Sequence, residues 1–278
     1  MRFQRVTSER ELLDGLSRPE TAIVCGGTDL LVKMRAGVVR PQMLLDVAHL
    51  DSMHGISLHD GVLDIGAATP EAELLRSPVV ADRAPLLTAA LRSLGSVQIR
   101  NRGSLGGNLV NASPAADSAV PLLLYDAKLQ IVGQDAERWI PLEEFFTGPG
   151  HTVLPTGAFV RTIRLSLDAP PARTYYHKVG RRNAMTIAIA SVGVLASVTD
   201  GRMMELRVAA GSVAPTPIRL RAVEDALRGA TLDPATFERA RRLASENVHP
   251  ISDVRASADY RVRVVGDLLA RALASFVS

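Results

Sequence analysis

The sequence predicts an α+β protein: two α/β units, followed by a C-terminal unit of antiparallel strands and helices. Three observations carry this. Short β-branched runs alternate with helically spaced apolar residues near the N-terminus, hairpin-type strands flank helical segments in the middle, and beyond Pro170-Pro171 long alternating strands precede amphipathic helices. The expected boundaries are residues 1–57, 58–169 and 174–278, with the proline pair inside a linker at 168–173 because such pairs disfavour helix and central strand alike.

In chain order, MRFQRVTSERELLDGL reads as a strand entering a polar amphipathic helix. Residues 21–25 form a strand, Gly26-Gly27 a turn, and 29–35 a helix with Leu30, Leu31 and Met34 in register. A strand at 43–47 leads through a turn at 51–55 to a hairpin of 56–58 and 62–65, closed by His59-Asp60-Gly61. Thr69-Pro70-Glu71 opens a helix, with threonine as cap and proline at the first position, and 85–94 is another helix. Between Gly95 and Pro114 the periodicity fails, and Gly95, Gly103, Gly106 and Gly107 mix with Asn101, Asn108 and Asn111. This reads as a long irregular loop, and such loops inside a compact domain usually bind something or act as lids.

A helix over 115–125 carries Asp117 in its first turn, strands follow at 128–132 and 138–140, a short helix and turn occupy 143–150, and 158–165 alternates as a strand. The C-terminal unit opens with strands at 174–179, 187–198 and 203–210, the last two joined at Asp200-Gly201. Apolar residues at three- and four-residue spacing make helices of 219–227, 234–246 and 257–276.

The 278 residues are 47% hydrophobic and 22% charged, which supports a packed core and excludes a disordered chain. The net charge is only +3, Lys33, Lys128 and Lys178 are the only lysines, and no basic stretch is interleaved with aromatics, so nucleic-acid binding is not expected. Cys25 is the single cysteine, which excludes an internal disulfide and an iron–sulfur cluster ligated wholly by this chain. The six histidines (His49, His54, His59, His151, His177, His249) have no metal-ligand spacing. No apolar secretory core stands at the N-terminus and no apolar run approaches the roughly 20 residues of a membrane span, so a cytoplasmic protein without a membrane span is expected.

Cys25-Gly26-Gly27-Thr28-Asp29-Leu30 follows a strand and opens a helix, where unpaired backbone N–H groups can receive an anion. A glycine turn capped by Thr28 or Asp29, without ligand, is the alternative. Ser104-Leu105-Gly106-Gly107-Asn108 offers a second glycine pair; it reads either as a cradle on the other side of a dinucleotide such as FAD or as an Ω-loop held by asparagine turns. Neither a G-x-G-x-x-G nor a P-loop pattern occurs, and no G-x-S-x-G elbow supports hydrolysis.

These motifs, with Ala112-Ser113-Pro114-Ala115-Ala116-Asp117, Phe146-Thr147-Gly148-Pro149-Gly150, Lys178-Val179-Gly180-Arg181-Arg182 and Arg255-Ala256-Ser257-Ala258-Asp259-Tyr260-Arg261, stand in an order that resembles the FAD-binding (medium) subunit of molybdenum hydroxylases, the group of xanthine dehydrogenase and aerobic carbon monoxide dehydrogenase. The resemblance covers nearly the whole chain. It implies two α/β FAD-binding subdomains of the vanillyl-alcohol-oxidase-like (PCMH-type) fold and a C-terminal domain like that of the CO dehydrogenase flavoprotein. It further implies that Ile23, Val24, Cys25, Gly26, Gly27, Thr28, Asp29 and Leu30 wrap the FAD pyrophosphate. Ser104, Leu105, Gly106, Gly107 and Asn108 would cradle it from the other side, Asn111 would assist, and Val160 would also touch the cofactor. Asp117 matches the family's acidic residue that hydrogen-bonds the cofactor, and Lys178 matches a flavin-proximal lysine that favours anionic reduced flavin. All six histidines read as structural or exposed, and His177, beside Lys178, is the one to test near the flavin. No residue of this chain is implied to be catalytic or metal-binding.

Two departures stand out. Cys25 occupies a position where the family more often has alanine, and reads as a small buried filler. The stretch Asn183-Ala184-Met185 lacks an aromatic residue that some carbon monoxide dehydrogenase relatives place near the flavin, which argues against that branch; the lack of further cysteines argues against the benzoyl-CoA-reductase branch. By resemblance, a small iron–sulfur subunit would deliver electrons from [2Fe-2S] clusters, a large subunit would hold molybdopterin, the assembly would be a dimer of heterotrimers, and an external acceptor such as NAD would take the electrons. A self-contained flavin oxidase or reductase of the same fold, and a flavin-free scaffold subunit, are the rival readings.

Overall fold

The computed structural model describes residues 1–167, 173–182 and 185–277. The first sheet is built from β1 (Arg2–Arg5), α1 (Glu9–Leu16), β2 (Thr21–Val24), α2 (Leu30–Arg35) and β3 (Met43–Asp46). β3 lies in the middle, parallel to both β1 and β2. Parallel neighbours need a crossover, and α1 and α2 provide it. Ser8 starts α1 by accepting from the Glu11 N–H, while the Glu11 carboxylate accepts from the Thr7 N–H at 2.8 Å, a reciprocal cap. The turn between β2 and α2 therefore leaves the carboxyl end of a parallel strand, the edge where α/β sheets form ligand crevices.

The second sheet begins with the hairpin β4 (Ile56–His59) and β5 (Val62–Gly66), then gives way to six short helices: α3 (Glu71–Arg76), α4 (Pro78–Arg83), α5 (Pro85–Ser93), α6 (Val97–Arg100), α7 (Leu105–Val110) and α8 (Ala119–Leu124). It resumes with β6 (Lys128–Val132) and β7 (Glu137–Pro141). After α9 (Leu142–Phe145) and the small hairpin β8 (Phe146–Gly148) and β9 (His151–Thr152), β10 (Phe159–Ser166) enters the centre. The order is β4-β5-β10-β6-β7, all antiparallel, with a register shift in β10 just after Val160.

The third sheet comprises β11 (Arg173–Val179), β12 (Ala190–Thr199), β13 (Arg202–Gly211) and β14 (Ile218–Arg219), followed by α10 (Arg221–Leu227), α11 (Pro234–Glu246) and α12 (Ala258–Ala274). α5 and α8 pack on this sheet from the side of the first two, and α10 and α12 also pack against it. One continuous apolar core joins the first two sheets, from Leu45 through Leu63 and Ile163, and a second core lies between the third sheet and its own helices. No helix among the described residues is long and apolar enough to cross a membrane.

Several expectations need correction. The stretch from Gly95 to Pro114 is not an irregular loop, because Ser96 and Ser104 each cap a short helix, their Oγ atoms accepting from the N–H groups of Ile99 and Gly107. Thr69 does not cap α3. Its hydroxyl bonds to Gly55 on both the N–H and C=O, and Pro70 takes the cap position. Asp117 lies in the turn before α8, which begins only at Ala119, and α4 was not anticipated at all. Arg219 belongs to β14 rather than to a helix, and β12 starts at Ala190. Residues 168–172 of the expected linker lie outside the described residues, and Arg173 already opens β11.

Candidate cofactor-binding cleft

A cleft of about 630 Å³ opens where the β2–α2 turn meets α7 and the turn before α8, a size typical of cofactor sites. At Gly26 the β2–α2 turn abuts the Arg102–Gly103 segment. A Cβ there would lie 1.8 Å from the Arg102 carbonyl oxygen and 2.9 Å from the Gly103 nitrogen, so the two glycine-bearing segments touch main chain to main chain. Only a residue without a side chain permits that approach. Beyond this contact the N–H groups of Gly27, Thr28, Asp29 and Leu30 have no acceptor among the described residues. Ile23, Val24, Cys25 and Gly26 line the cleft together with these four.

The opposite wall is built differently. Ser104, Gly106, Gly107, Asn108 and Asn111 line the cleft, as do Asp117 and Val160, but the N–H groups of the second glycine pair are already occupied. Gly106 donates to the Ala67 carbonyl at 2.9 Å, Gly107 to Ser104 Oγ and Asn108 to the Ser104 carbonyl. A Cβ on Gly106 would come within 2.5 Å of Ala67 Cβ, so this glycine lets α7 pack against the end of β5. Leu105 does not reach the cleft; its side chain is fully buried in the core. Lys33, another lining residue, donates to Asn111 Oδ1 and ties α2 to this wall.

Lys178 also stands outside the lining. Its Nζ donates to Asp117 Oδ2 and to the Ser93 carbonyl at 2.9 Å, and the two side chains are 5% and 8% exposed. Tyr176, two residues earlier and therefore on the same face of β11, points its hydroxyl at the other Asp117 oxygen, 3.4 Å away. Burial pushes the Asp117 carboxyl up, and the Lys178 ammonium opposes that shift. Asp117 is thus the cleft-wall member of a buried cluster, with Lys178 behind it. His177 faces the other way, because neighbours on a strand alternate. It stacks on Tyr175 at 6.4 Å between ring centroids, burial and then Arg271 of α12 lower its pKa, and it does not line the cleft, in keeping with a structural histidine.

Cys25 lines the cleft half-buried, with Sγ directed at the Ala68 carbonyl at 3.7 Å, and burial pushes its thiol up. Met185 and Ile187 lie at the rim, while Asn183 and Ala184 fall outside the described residues. The residue that the sequence did not disclose is Glu71, at the start of α3. It is 2% exposed, lines the cleft, and its Oε2 has no hydrogen-bond partner; burial raises its pKa from 4.5 to about 8. Among the described residues no group of three or more His, Cys, Asp or Glu is arranged to hold a metal ion.

The profile of the FAD binding domain in molybdopterin dehydrogenase matches residues 1–166, and that of the CO dehydrogenase flavoprotein C-terminal domain matches residues 174–276. The xanthine dehydrogenase FAD-binding subunit of Escherichia coli O157:H7 is 32% identical over 94% of this chain and 90% of its own length. The carbon monoxide dehydrogenase medium chain of Hydrogenophaga pseudoflava is 28% identical over 91% and 88% respectively. Among solved structures, the carbon monoxide dehydrogenase of that organism, in a form lacking the Mo-pyranopterin moiety of the molybdenum cofactor, is similar at a TM-score of 0.94 with 29% identity, covering 98% of this chain and 96% of that one. Quinoline 2-oxidoreductase from Pseudomonas putida 86 reaches the same TM-score at 26% identity, covering 100% and 98%. Similar from end to end to subunits of these oxidoreductases, and carrying all of the cleft but its rim at Met185 to Ile187 in the part that the FAD profile spans, the chain belongs to the family of FAD-binding subunits of molybdopterin dehydrogenases.

Proposed function

We propose that this chain holds FAD in the cleft as the flavin subunit of a heterotrimeric molybdenum hydroxylase, taking electrons from [2Fe-2S] clusters of a small partner subunit and passing them to an external acceptor such as NAD. A large molybdopterin-bearing partner would oxidise the substrate, and the complex would be a cytoplasmic dimer of heterotrimers. Residues 1–57 and 58–169 would act as two FAD-binding subdomains and 174–278 as the C-terminal domain; the three larger sheets support a threefold division, but they move its bounds, since β4 (Ile56–His59) belongs whole to the second sheet and Arg173 to the third.

The observation that carries this function is the contact at Gly26, which sets a row of unpartnered N–H groups at the mouth of a cofactor-sized cleft. Bound FAD would supply a two-electron carrier, chemistry that no side chain of the chain offers. The chain's own work is to bind and orient. Gly27, Thr28, Asp29 and Leu30 would donate main-chain hydrogen bonds to the diphosphate, and Lys33 would add positive charge at the same end. Ser104, Gly106, Gly107, Asn108 and Asn111 would form the facing wall through their surfaces rather than through free N–H groups. Asp117 would bond the cofactor from the far side, with Lys178 acting through it as a positioning residue.

Metal and cofactor analysis of the native complex tests this directly. Flavin, molybdenum and iron should co-purify with the chain. A native preparation that retains flavin and lacks both metals would remove the subunit assignment, and a purified chain that takes up no FAD would remove the flavin itself.

A further inference from the structure

We propose that Arg261 of α12 is a positioning residue for the cofactor cleft, holding from the C-terminal unit two segments that border it; the role rests on FAD being the occupant. The side chain is 4% exposed. Its Nη1 donates to the carbonyls of Ile189 at 2.7 Å and Ser212 at 3.0 Å, and its Nη2 donates to Asp253 Oδ1 at 2.7 Å. Asp253 is fixed in turn, accepting from the Arg255 N–H at 2.8 Å and the Ala256 N–H at 3.2 Å. Balancing the buried cation requires only this carboxylate. The two main-chain bonds do more, because they fall just before β12 and just after β13, strands that pair there through Ser191 and Gly211. Both carbonyls therefore stand at one end of the third sheet, the end that meets the cleft.

Each bond fixes a different border. Ile189 lies two residues beyond the rim formed by Met185, Thr186 and Ile187. Its N–H donates to the Val179 carbonyl at 2.7 Å, and a Cβ on Gly180 would stand 2.2 Å from Thr186 Cγ2, so the rim doubles back on the end of β11. Arg261 takes the carbonyl of the same residue and anchors the rim from the other side. Ser212 has a φ of +64°, a left-handed conformation that serine seldom adopts. Two bonds hold it there: its carbonyl accepts from Arg261, and its N–H donates at 2.8 Å to the carbonyl of Pro114, in the turn that brings Asp117 into the cleft wall. One side chain thus ties the rim and the Asp117 turn to a common point. The planar guanidinium can serve two carbonyls and a carboxylate at once, whereas a lysine ammonium is a single compact charge on a shorter reach.

The full chain freed of flavin is titrated with FAD, and urea unfolding and amide hydrogen exchange are measured on the same proteins. Arg261→Lys should weaken FAD binding roughly tenfold, the effect of one misplaced charge-assisted hydrogen bond, and should speed exchange at the Ile189 and Ser212 amides. The comparison is Leu273→Ala, a fully buried position of the same helix about 18 Å further along. It should lower the urea midpoint at least as far, yet leave FAD affinity within about twofold of wild type. Arg261→Met should bind more weakly than Arg261→Lys; where it does not fold, the lysine and alanine variants decide the matter between them. The proposal is overturned if Arg261→Lys binds FAD as tightly as wild type, if it weakens binding without faster exchange at those two amides, or if Leu273→Ala weakens binding as much, which would leave Arg261 a stabilising residue only. Failure of the wild-type chain to bind FAD would instead overturn the flavin function itself.

Discussion

Replacing Gly26 with alanine probes the contact on which the cleft depends. The added methyl would sit 1.8 Å from the Arg102 carbonyl oxygen and 2.3 Å from its carbon, whereas real Cβ contacts essentially never fall below 3.0 Å. The segments must therefore part by about 1.2 Å, and because the obstacle is main chain rather than a flexible side chain, the shift moves whole backbone units. Overpacking of this kind costs about 1–3 kcal/mol in stability. The same displacement removes the alignment of the Gly27 to Leu30 N–H groups with a bound diphosphate, and one charge-assisted hydrogen bond lost is about 1.5–3 kcal/mol, roughly tenfold to a hundredfold in FAD affinity. Gly148→Ala is the control, since a Cβ there meets nothing within 4 Å. Fluorescence titration with FAD and urea unfolding of both variants give the answer. A Gly26→Ala chain that binds FAD as tightly as wild type and unfolds at the same urea concentration would refute the idea that the two segments are wedged together.

Two further outcomes follow from the buried acids. Lys178→Met leaves Asp117 enclosed without its ammonium partner and should lower stability by about 3–5 kcal/mol in urea unfolding; adding Asp117→Asn should recover part of that loss, and the deficit of the single variant should grow with pH as Asp117 is forced to ionise. In the flavin-free chain, folded Glu71 keeps a proton that the unfolded chain releases, so between about pH 4.5 and 8 stability should fall as pH rises, and Glu71→Gln should flatten that slope.

The legible parts of the fold were those written in local chemistry. Asp200-Gly201 closes the β12–β13 hairpin as its type demands, and the alternation of residues 62–65 and 158–165 marks two strands that end up side by side. What was illegible depends on partners distant in sequence. Glycines inside α7 look like loop residues, because helix propensity penalises them, until Ala67 is seen to occupy the space a side chain would need. The hydroxyl of Thr69 is an equally plausible cap by sequence, and Gly55, fourteen residues earlier, takes it away. Glu71 reads as an ordinary first-turn acid at a helix start, a favourable exposed position. In the fold it is buried, with the Gly103 main chain packed against it. His177 and Lys178 were read together because they are adjacent, whereas strand geometry assigns them to opposite faces.

The two glycine pairs carry the same sequence signal and do different work. In the first, the glycine admits a neighbouring main chain and leaves the following N–H groups without acceptors; in the second, it admits Ala67 and every N–H finds an internal acceptor. Glycine content therefore marks close approach of backbone, and the direction of the hydrogen bonds decides whether that approach makes a binding surface or a packing joint. The cleft is then asymmetric by construction: the β2–α2 side offers unpaired main-chain donors beside Asp29, whereas the other side offers the carboxyl groups of Glu71 and Asp117 and no free N–H from its glycine pair. An anionic ligand is drawn to one wall only, and it can lie against the second only if those carboxyls are neutralised, as Asp117 is by Lys178.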